Sequence, residues 1–319
     1  MRGAVLLEHG HDDMAGCLQQ AQFTHLKRRE IWIGNEMTSD IGLYSTKLCK
    51  KNAARMARLS SEVYKSKANK EPDDGAILAS LKSTGERVVS VAGTSKNSAQ
   101  AILVEHEDYF CMAFRGTDQW EDWIDNLDGR KAHSEQAMFG DFHRGFYRSC
   151  NDVWDFLDDR YRALRAEDHK QRRYRPLFLT GHSLGGAMAT VAAAKLILED
   201  RPFSGVYTYG QPRAVKRSTA QFLSNECGAR YFRFQNNEDL VTRVPSRLMG
   251  YSHVGRCLYI DADGQIQTDP GFWYRFLDVV DGALDTVKNR LKDEKSAGLI
   301  GDHDIDRYIE HISKWNIVE

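Results

Sequence analysis

The chain has 319 residues, with 44 Lys+Arg against 45 Asp+Glu and a formal net charge of -1. That balance offers no basic surplus for a nucleic acid and no acidic run for a cationic partner. Charged residues make up 28% and apolar residues 41%, the mixture of a globular domain that can bury a core, and no apolar run reaches the length of a membrane span. The cysteines Cys17, Cys49, Cys111, Cys150, Cys227 and Cys257 are scattered without C-x-x-C spacing, so thiols are expected rather than a metal set or a disulfide framework. Ala4 to Leu7 is the only apolar run before Glu8 and His9, too short for a secretory leader. Location is therefore left open between the cytoplasm and export without a leader of that kind.

In chain order, residues 1–30 carry no periodicity and read as a loose arm. From about residue 40 to 67, Leu48, Ala53, Met56, Leu59, Val63 and Tyr64 recur at helical spacing. Glu71-Pro72-Asp73-Asp74-Gly75 breaks that pattern. Residues 87–91 form a β-branched strand, and 100–105 with 109–114 flank a turn as a hairpin. In 118–128, Trp120, Trp123, Ile124 and Leu127 fall on one helical face, with Glu121, Asp122, Asp125 and Asp128 on the other. That segment is either a lid over a site or a fixed helix whose tryptophans are core. Residues 146–164 read as an amphipathic helix.

After Pro176 strands and helices alternate: strand 177–180, alanine-rich helix 188–198, strand 206–209, helix 214–226 and strand 231–234. Such alternation predicts an α/β fold with a mostly parallel central sheet flanked by helices. Without a repeat or linker, 1–319 reads as a single domain.

The chemistry centres on Gly181-His182-Ser183-Leu184-Gly185-Gly186. A G-x-S-x-G between a buried strand and a helix predicts a sharp turn that lifts the serine hydroxyl above the sheet. Only small residues fit two positions to either side, and the helix N-terminus favours an oxyanion. Ser183 is thus the expected nucleophile. It needs a base, and the base an orienting carboxylate, in the order Ser, acid, His. Asp239 follows the strand 231–234 in a polar loop and is the best acid, with Glu238 its neighbour and competitor. Asp200 lies at the far end of a helix. His253, His303 and His311 remain as bases. His303 sits in a late loop, Gly301-Asp302-His303-Asp304, and is favoured. His253 lies near a strand start, and His311 on the surface of the last helix.

Further motifs extend this set: Phe114-Arg115-Gly116-Thr117, Asp122-Trp123 with Leu127, His143-Arg144-Gly145-Phe146, Tyr209-Gly210-Gln211-Pro212-Arg213, Asp239-Leu240-Val241 with Pro245, and Tyr251-Ser252-His253-Val254-Gly255. In this order they resemble the class 3 lipases, the family of the filamentous-fungal triacylglycerol lipases. The resemblance implies the α/β-hydrolase fold, Ser183, Asp239 and His303 as triad, and the backbone N–H groups of Thr117 and Leu184 as oxyanion hole. It makes His253 structural. The sequence departs from the family at Asn126, where fungal members often carry Asp, and in a longer stretch between Asp239 and His303. That stretch implies a helical insertion over 262–300. Within it Trp273, Phe276, Leu277, Val280, Leu284, Val287 and Leu291 recur at helical spacing, as a helix packed on the core or as a membrane or partner surface.

Together these features predict a lipase or carboxylesterase acting on acylglycerols or other carboxylic esters, in reach of a lipid–water interface. No metal or cofactor is expected. The same scaffold serves phospholipases A1 and feruloyl-type esterases, and a non-catalytic signalling or scaffold domain is the reading from another class.

Overall fold

The computed structural model describes residues 47–67, 71–82, 84–93, 99–116, 134–237, 239–269 and 302–315. They lie in the unit Ser39–Glu319. The arm expected at 1–30 and the segment 118–128 fall outside the described residues.

The strands are β1 (Arg87–Gly93), β2 (Gln100–Glu105), β3 (Phe110–Phe114), β4 (Ser134–Ala137), β5 (Gly140–His143), β6 (Leu177–His182), β7 (Gly205–Tyr209), β8 (Val215–Lys216), β9 (Tyr231–Asn236), β10 (Tyr251–Ser252), β11 (Arg256–Ile260) and β12 (Ile266–Thr268). Eight of them form the main sheet in the order β1-β2-β3-β6-β7-β9-β11-β12. From β3 through β6, β7 and β9 to β11 the neighbours run parallel. The expected hairpin is present as antiparallel β2 and β3, and β1 and β12 close the edges antiparallel. Parallel central strands need crossover helices, which cover both faces. The helices are α1 (Lys50–Glu62), α2 (Asp74–Lys82), α3 (Arg144–Lys170), α4 (Leu184–Leu198), α5 (Arg217–Cys227) and α6 (Ile305–Lys314).

Alternation along each strand divides the core in two. Leu103, Phe110, Met112, Leu177 and Leu179 meet Val153, Trp154 and Leu157 of α3 and Met188 and Val191 of α4. Their neighbours Ile102, Val104, Cys111, Ala113 and Phe178 point the other way, to Ala53, Met56 and Leu59 of α1 and Tyr308 and Ile312 of α6. Thr180 lies on the α1 side, where its hydroxyl meets the Ser60 hydroxyl at 2.9 Å and the Met56 carbonyl at 3.1 Å. The parity of β6 thus sends His182, two residues on, toward α1 and α6.

Several boundaries differ from expectation. The helix expected at 188–198 begins at Leu184, directly after the nucleophile turn. The helix expected over 40–67 spans Lys50–Glu62 among the described residues. An unforeseen α2 follows it, started by the Asp73 carboxylate, which accepts the Ala76 N–H at 3.0 Å. The helix expected over 214–226 starts at Arg217, because Val215 and Lys216 pair with β5 and β10 in a second sheet, β10-β8-β5-β4. The helical insertion expected over 262–300 opens instead with strand β12, whose Ile266 pairs with Ile260. Residues 270–301 fall outside the described residues. Among the described residues, Cys49, Cys111, Cys150 and Cys227 are free thiols.

Candidate active site

β6 ends at His182, and the chain turns at Ser183 with φ 56° and ψ -129° before α4 begins. A positive φ in a residue with a side chain costs on the order of 1–3 kcal/mol, and the surroundings must enforce it. The Ser183 N–H donates to the Tyr209 carbonyl of neighbouring β7 at 2.9 Å. The glycines of the motif do the rest. A Cβ on Gly181 would overlap the Gly185 backbone, and one on Gly185 would overlap the Phe114 carbonyl. Sheet, turn and helix therefore approach more closely there than any side chain allows. Ser183 is 1% exposed, and its Oγ has no hydrogen-bond partner among the described residues.

Asp239 and His303 meet. The His303 Nδ1 lies 3.0 Å from Asp239 Oδ1 and 2.9 Å from Oδ2. Asp239 is fully buried at the start of a short 3-10 turn, Leu240–Arg243, after β9. Its Oδ1 also accepts the Val241 N–H at 3.0 Å, and its Oδ2 the Tyr308 hydroxyl at 2.6 Å. Since an ionised carboxylate only accepts, Nδ1 of His303 carries the proton, and Nε2 of the neutral ring keeps its lone pair. His303 sits just before α6, whose Asp304 caps its N-terminus through the Asp306 N–H at 3.0 Å.

The other candidates are elsewhere. The Nε2 of His253 bonds the Thr242 carbonyl at 2.8 Å, and its Nδ1 is buried. Burial, with Arg233 and Arg213 close by, pushes its pKa well down. His311 lies in α6, half-buried, in line with a Cβ position on Gly264. Asp200 is exposed just beyond the C-terminal end of α4, far along that helix from Ser183. Glu238, Thr117 and the lid residues Trp120, Trp123, Ile124 and Leu127 fall outside the described residues. Leu184 opens α4, where the first backbone N–H groups have no acceptor within the helix. Gly116, the residue before Thr117, runs against the Ser183 turn. A Cβ there would stand 2.9 Å from the His182 carbonyl oxygen and 3.0 Å from the Ser183 Cβ.

Four residues near this constellation carry parts that the motifs did not reveal. Tyr308 holds Asp239. Gly210, at φ 57°, faces the Asp239–His303 pair, where a Cβ would come within 2.8 Å of Asp239 Oδ2 and 2.9 Å of His303 Nδ1. His182 bonds the His303 carbonyl at 2.6 Å, and Tyr64 bonds His182 at 2.9 Å. Among the described residues no group of His, Cys, Asp and Glu has the arrangement of a metal site, and no helix is long and apolar enough to cross a membrane.

Comparison with known proteins points the same way. The family model for lipase (class 3) matches residues 111–249. A secreted mono- and diacylglycerol lipase 1 from Fusarium solani is 31% identical over 207 residues, covering 63% of this chain and 58% of that protein. The triacylglycerol lipase OBL1 of Arabidopsis thaliana is 36% identical over 197 residues, covering 47% of this chain and 37% of that protein. The matched stretch thus spans less than two thirds of either relative. The crystal structure of a mono- and diacylglycerol lipase from Aspergillus oryzae superposes with a TM-score of 0.59 at 21% identity, covering 70% of this chain and 87% of that one. The resemblance to the class 3 lipases is thereby shown, in sequence over residues 111–249 and in fold as an α/β-hydrolase.

Proposed function

We propose that this protein is a serine ester hydrolase of the lipase type, with Ser183 as nucleophile, His303 as base and Asp239 as the orienting acid. The observation that carries the proposal is a buried serine hydroxyl on a strained strand-to-helix turn, together with an imidazole whose Nδ1 is tied to the buried Asp239 carboxylate and whose backbone carbonyl is bonded to His182, the residue before that serine. With Nδ1 engaged, His303 Nε2 takes the Ser183 proton as Oγ attacks the ester carbonyl carbon. The oxyanion that forms rests on the N–H of Leu184 at the α4 N-terminus, with Thr117 from the Phe114–Thr117 motif as the second donor. The imidazolium gives its proton to the departing alcohol, and the C–O bond breaks to leave an acyl-serine. Water then attacks the acyl carbon as His303 takes its proton, releasing the carboxylic acid and restoring Ser183.

The relatives are named as lipases of mono- and diacylglycerols or of triacylglycerols, so acylglycerol is the ester class we assign. Export is the location that fits the fungal relatives named as secreted. Residues 118–128 are assigned as the lid from the spacing of Trp120, Trp123, Ile124 and Leu127. A fluorophosphonate tests the chemistry: it should add once per chain, at the peptide that contains Ser183, and abolish hydrolysis of a p-nitrophenyl ester. EDTA should leave hydrolysis unchanged. Labelling at another serine, or loss of activity on chelation, would refute the proposal.

A further inference from the structure

We infer that His182, the residue before the nucleophile, is a positioning residue that clamps the main chain of His303 and is itself held in one tautomer by Tyr64. This rests on the reading of Ser183, His303 and Asp239 given above. β6 parity turns the His182 ring to the α1 and α6 side of the sheet, and there it lies between two partners. Nε2 is 2.6 Å from the His303 carbonyl oxygen, and Nδ1 is 2.9 Å from the Tyr64 hydroxyl. The ring is also tilted against the His303 ring, with centroids 4.6 Å apart.

The proton positions follow from the partners. A carbonyl oxygen only accepts, so Nε2 of His182 must carry the proton. Burial, with the His303 imidazole beside it, pushes the pKa of His182 well down and so favours the neutral ring. Nδ1 then presents a lone pair, and the Tyr64 hydroxyl donates to it. Without that donor the buried ring would lose the partner that selects the Nε2–H tautomer, and the opposite tautomer would set a lone pair against a carbonyl oxygen.

The clamp has a geometric consequence. His182 and Ser183 are covalent neighbours at the end of β6. Fixing the His303 carbonyl to His182 sets the base relative to the nucleophile through one side chain and one peptide bond. The preceding carbonyl is held too, since Asn236 Nδ2 donates to the Asp302 oxygen at 3.0 Å. Asp239 fixes the ring, while His182 and Asn236 fix the backbone from which the ring projects. Tyr64, in the turn just after α1, also abuts Gly116 beside the Ser183 turn. The same hydroxyl that sets the clamp therefore borders the segment that leads into Thr117.

The test compares His182→Gln, His182→Asn and Tyr64→Phe with the wild-type protein on a soluble p-nitrophenyl ester, each rate divided by the fluorophosphonate-titrated sites. Gln carries an N–H near the position of Nε2 and should lose only a few-fold in kcat. Asn cannot reach the carbonyl, and a misplaced base should lower its kcat per site about 100-fold. KM should stay within about twofold of wild type, because substrate binding is untouched. Tyr64→Phe, which removes a single oxygen, should lower kcat roughly tenfold and keeps the test decisive should the Asn protein not fold. Equal losses in the Gln and Asn proteins, a wild-type kcat in Asn, or a wild-type kcat in Tyr64→Phe would overturn the inference. Ser183→Ala runs alongside. If it remains active, the triad reading itself fails. If it is inactive while the Asn protein turns over normally, only the positioning role of His182 fails.

Discussion

The hydroxyl of Tyr308 donates to Asp239 Oδ2 at 2.6 Å and accepts the Asn236 N–H at 2.9 Å, joining α6 to the end of β9 through a single oxygen. It converges on the Asp239 carboxylate together with the Val241 N–H and the His303 ring. Deleting the oxygen has two separable effects. A hydrogen bond to a charged group is worth about 1.5–3 kcal/mol, and a buried N–H left unsatisfied costs about 1–3 kcal/mol. Tyr308→Phe should therefore lower kcat roughly tenfold or more and also lower the melting temperature. Turnover and thermal unfolding of the purified variant check both, and a wild-type kcat would show that the carboxylate does not need this donor.

Gly210 sits where a Cβ would press on both Asp239 and His303, on a backbone with φ 57° that residues with side chains rarely adopt. Gly210→Ala should force the pair apart. A displacement near 1 Å costs on the order of 100-fold in rate. The expected outcome is a folded protein whose kcat falls far more than its KM changes, read by steady-state kinetics on a soluble ester. A variant with wild-type kcat would mean that the pair tolerates displacement.

The parts legible in the sequence are those written locally. Gly181 to Gly186 sits between a run of buried residues and an alanine-rich helix, so strand, turn and helix could be read there. Asp239 and His303 followed from chain order. Tyr64, His182 and Tyr308 did not. Their contacts join residues 118, 121 and 69 positions apart, and those of His182 also depend on which face of β6 its side chain takes. The second sheet was illegible for a different reason. β8 and β10 have two residues each, too few for any alternation to register, and Val215 and Lys216 read as the start of the helix that follows. β12 has three residues, with Ile266 its apolar member, and was absorbed into the helical pattern that follows it in sequence.

Stability should depend on acid through the buried histidines. Burial lowers the pKa of both His182 and His253 from the ordinary imidazole value of about 6.5. Above that value both are neutral in the folded and unfolded chain and contribute nothing to the pH dependence. Below it the unfolded chain takes up protons that the folded chain refuses, so stability falls as the pH drops from about 6.5 toward the depressed folded values. Each group contributes a slope of at most about 1.4 kcal/mol per pH unit. His253→Gln, which keeps a donor for the Thr242 carbonyl, should make the fall between about pH 6 and pH 5 shallower by up to one proton. Urea unfolding across that interval measures it, and an unchanged slope would contradict the neutral, buried state of His253.

The lid assignment separates two kinds of substrate. If the face made by Trp120, Trp123, Ile124 and Leu127 turns from the site to lipid, activity on a partly soluble ester should jump once the substrate passes its solubility limit. Trp123→Ser should then weaken hydrolysis of an emulsion more than hydrolysis of a soluble short-chain ester. Smooth saturation through the solubility limit, with equal losses on both substrates, would place those side chains in a fixed core instead.

The most direct test of the central claim is the turnover of Ser183→Ala on a soluble p-nitrophenyl ester, beside a melting curve for the same sample. Loss of a triad nucleophile leaves only oxyanion stabilisation and binding, so kcat should fall by roughly 10⁴-fold or more while the protein stays folded. A folded Ser183→Ala protein that hydrolyses the ester at a rate near wild type would contradict the assignment of Ser183 and, with it, the acyl-enzyme mechanism.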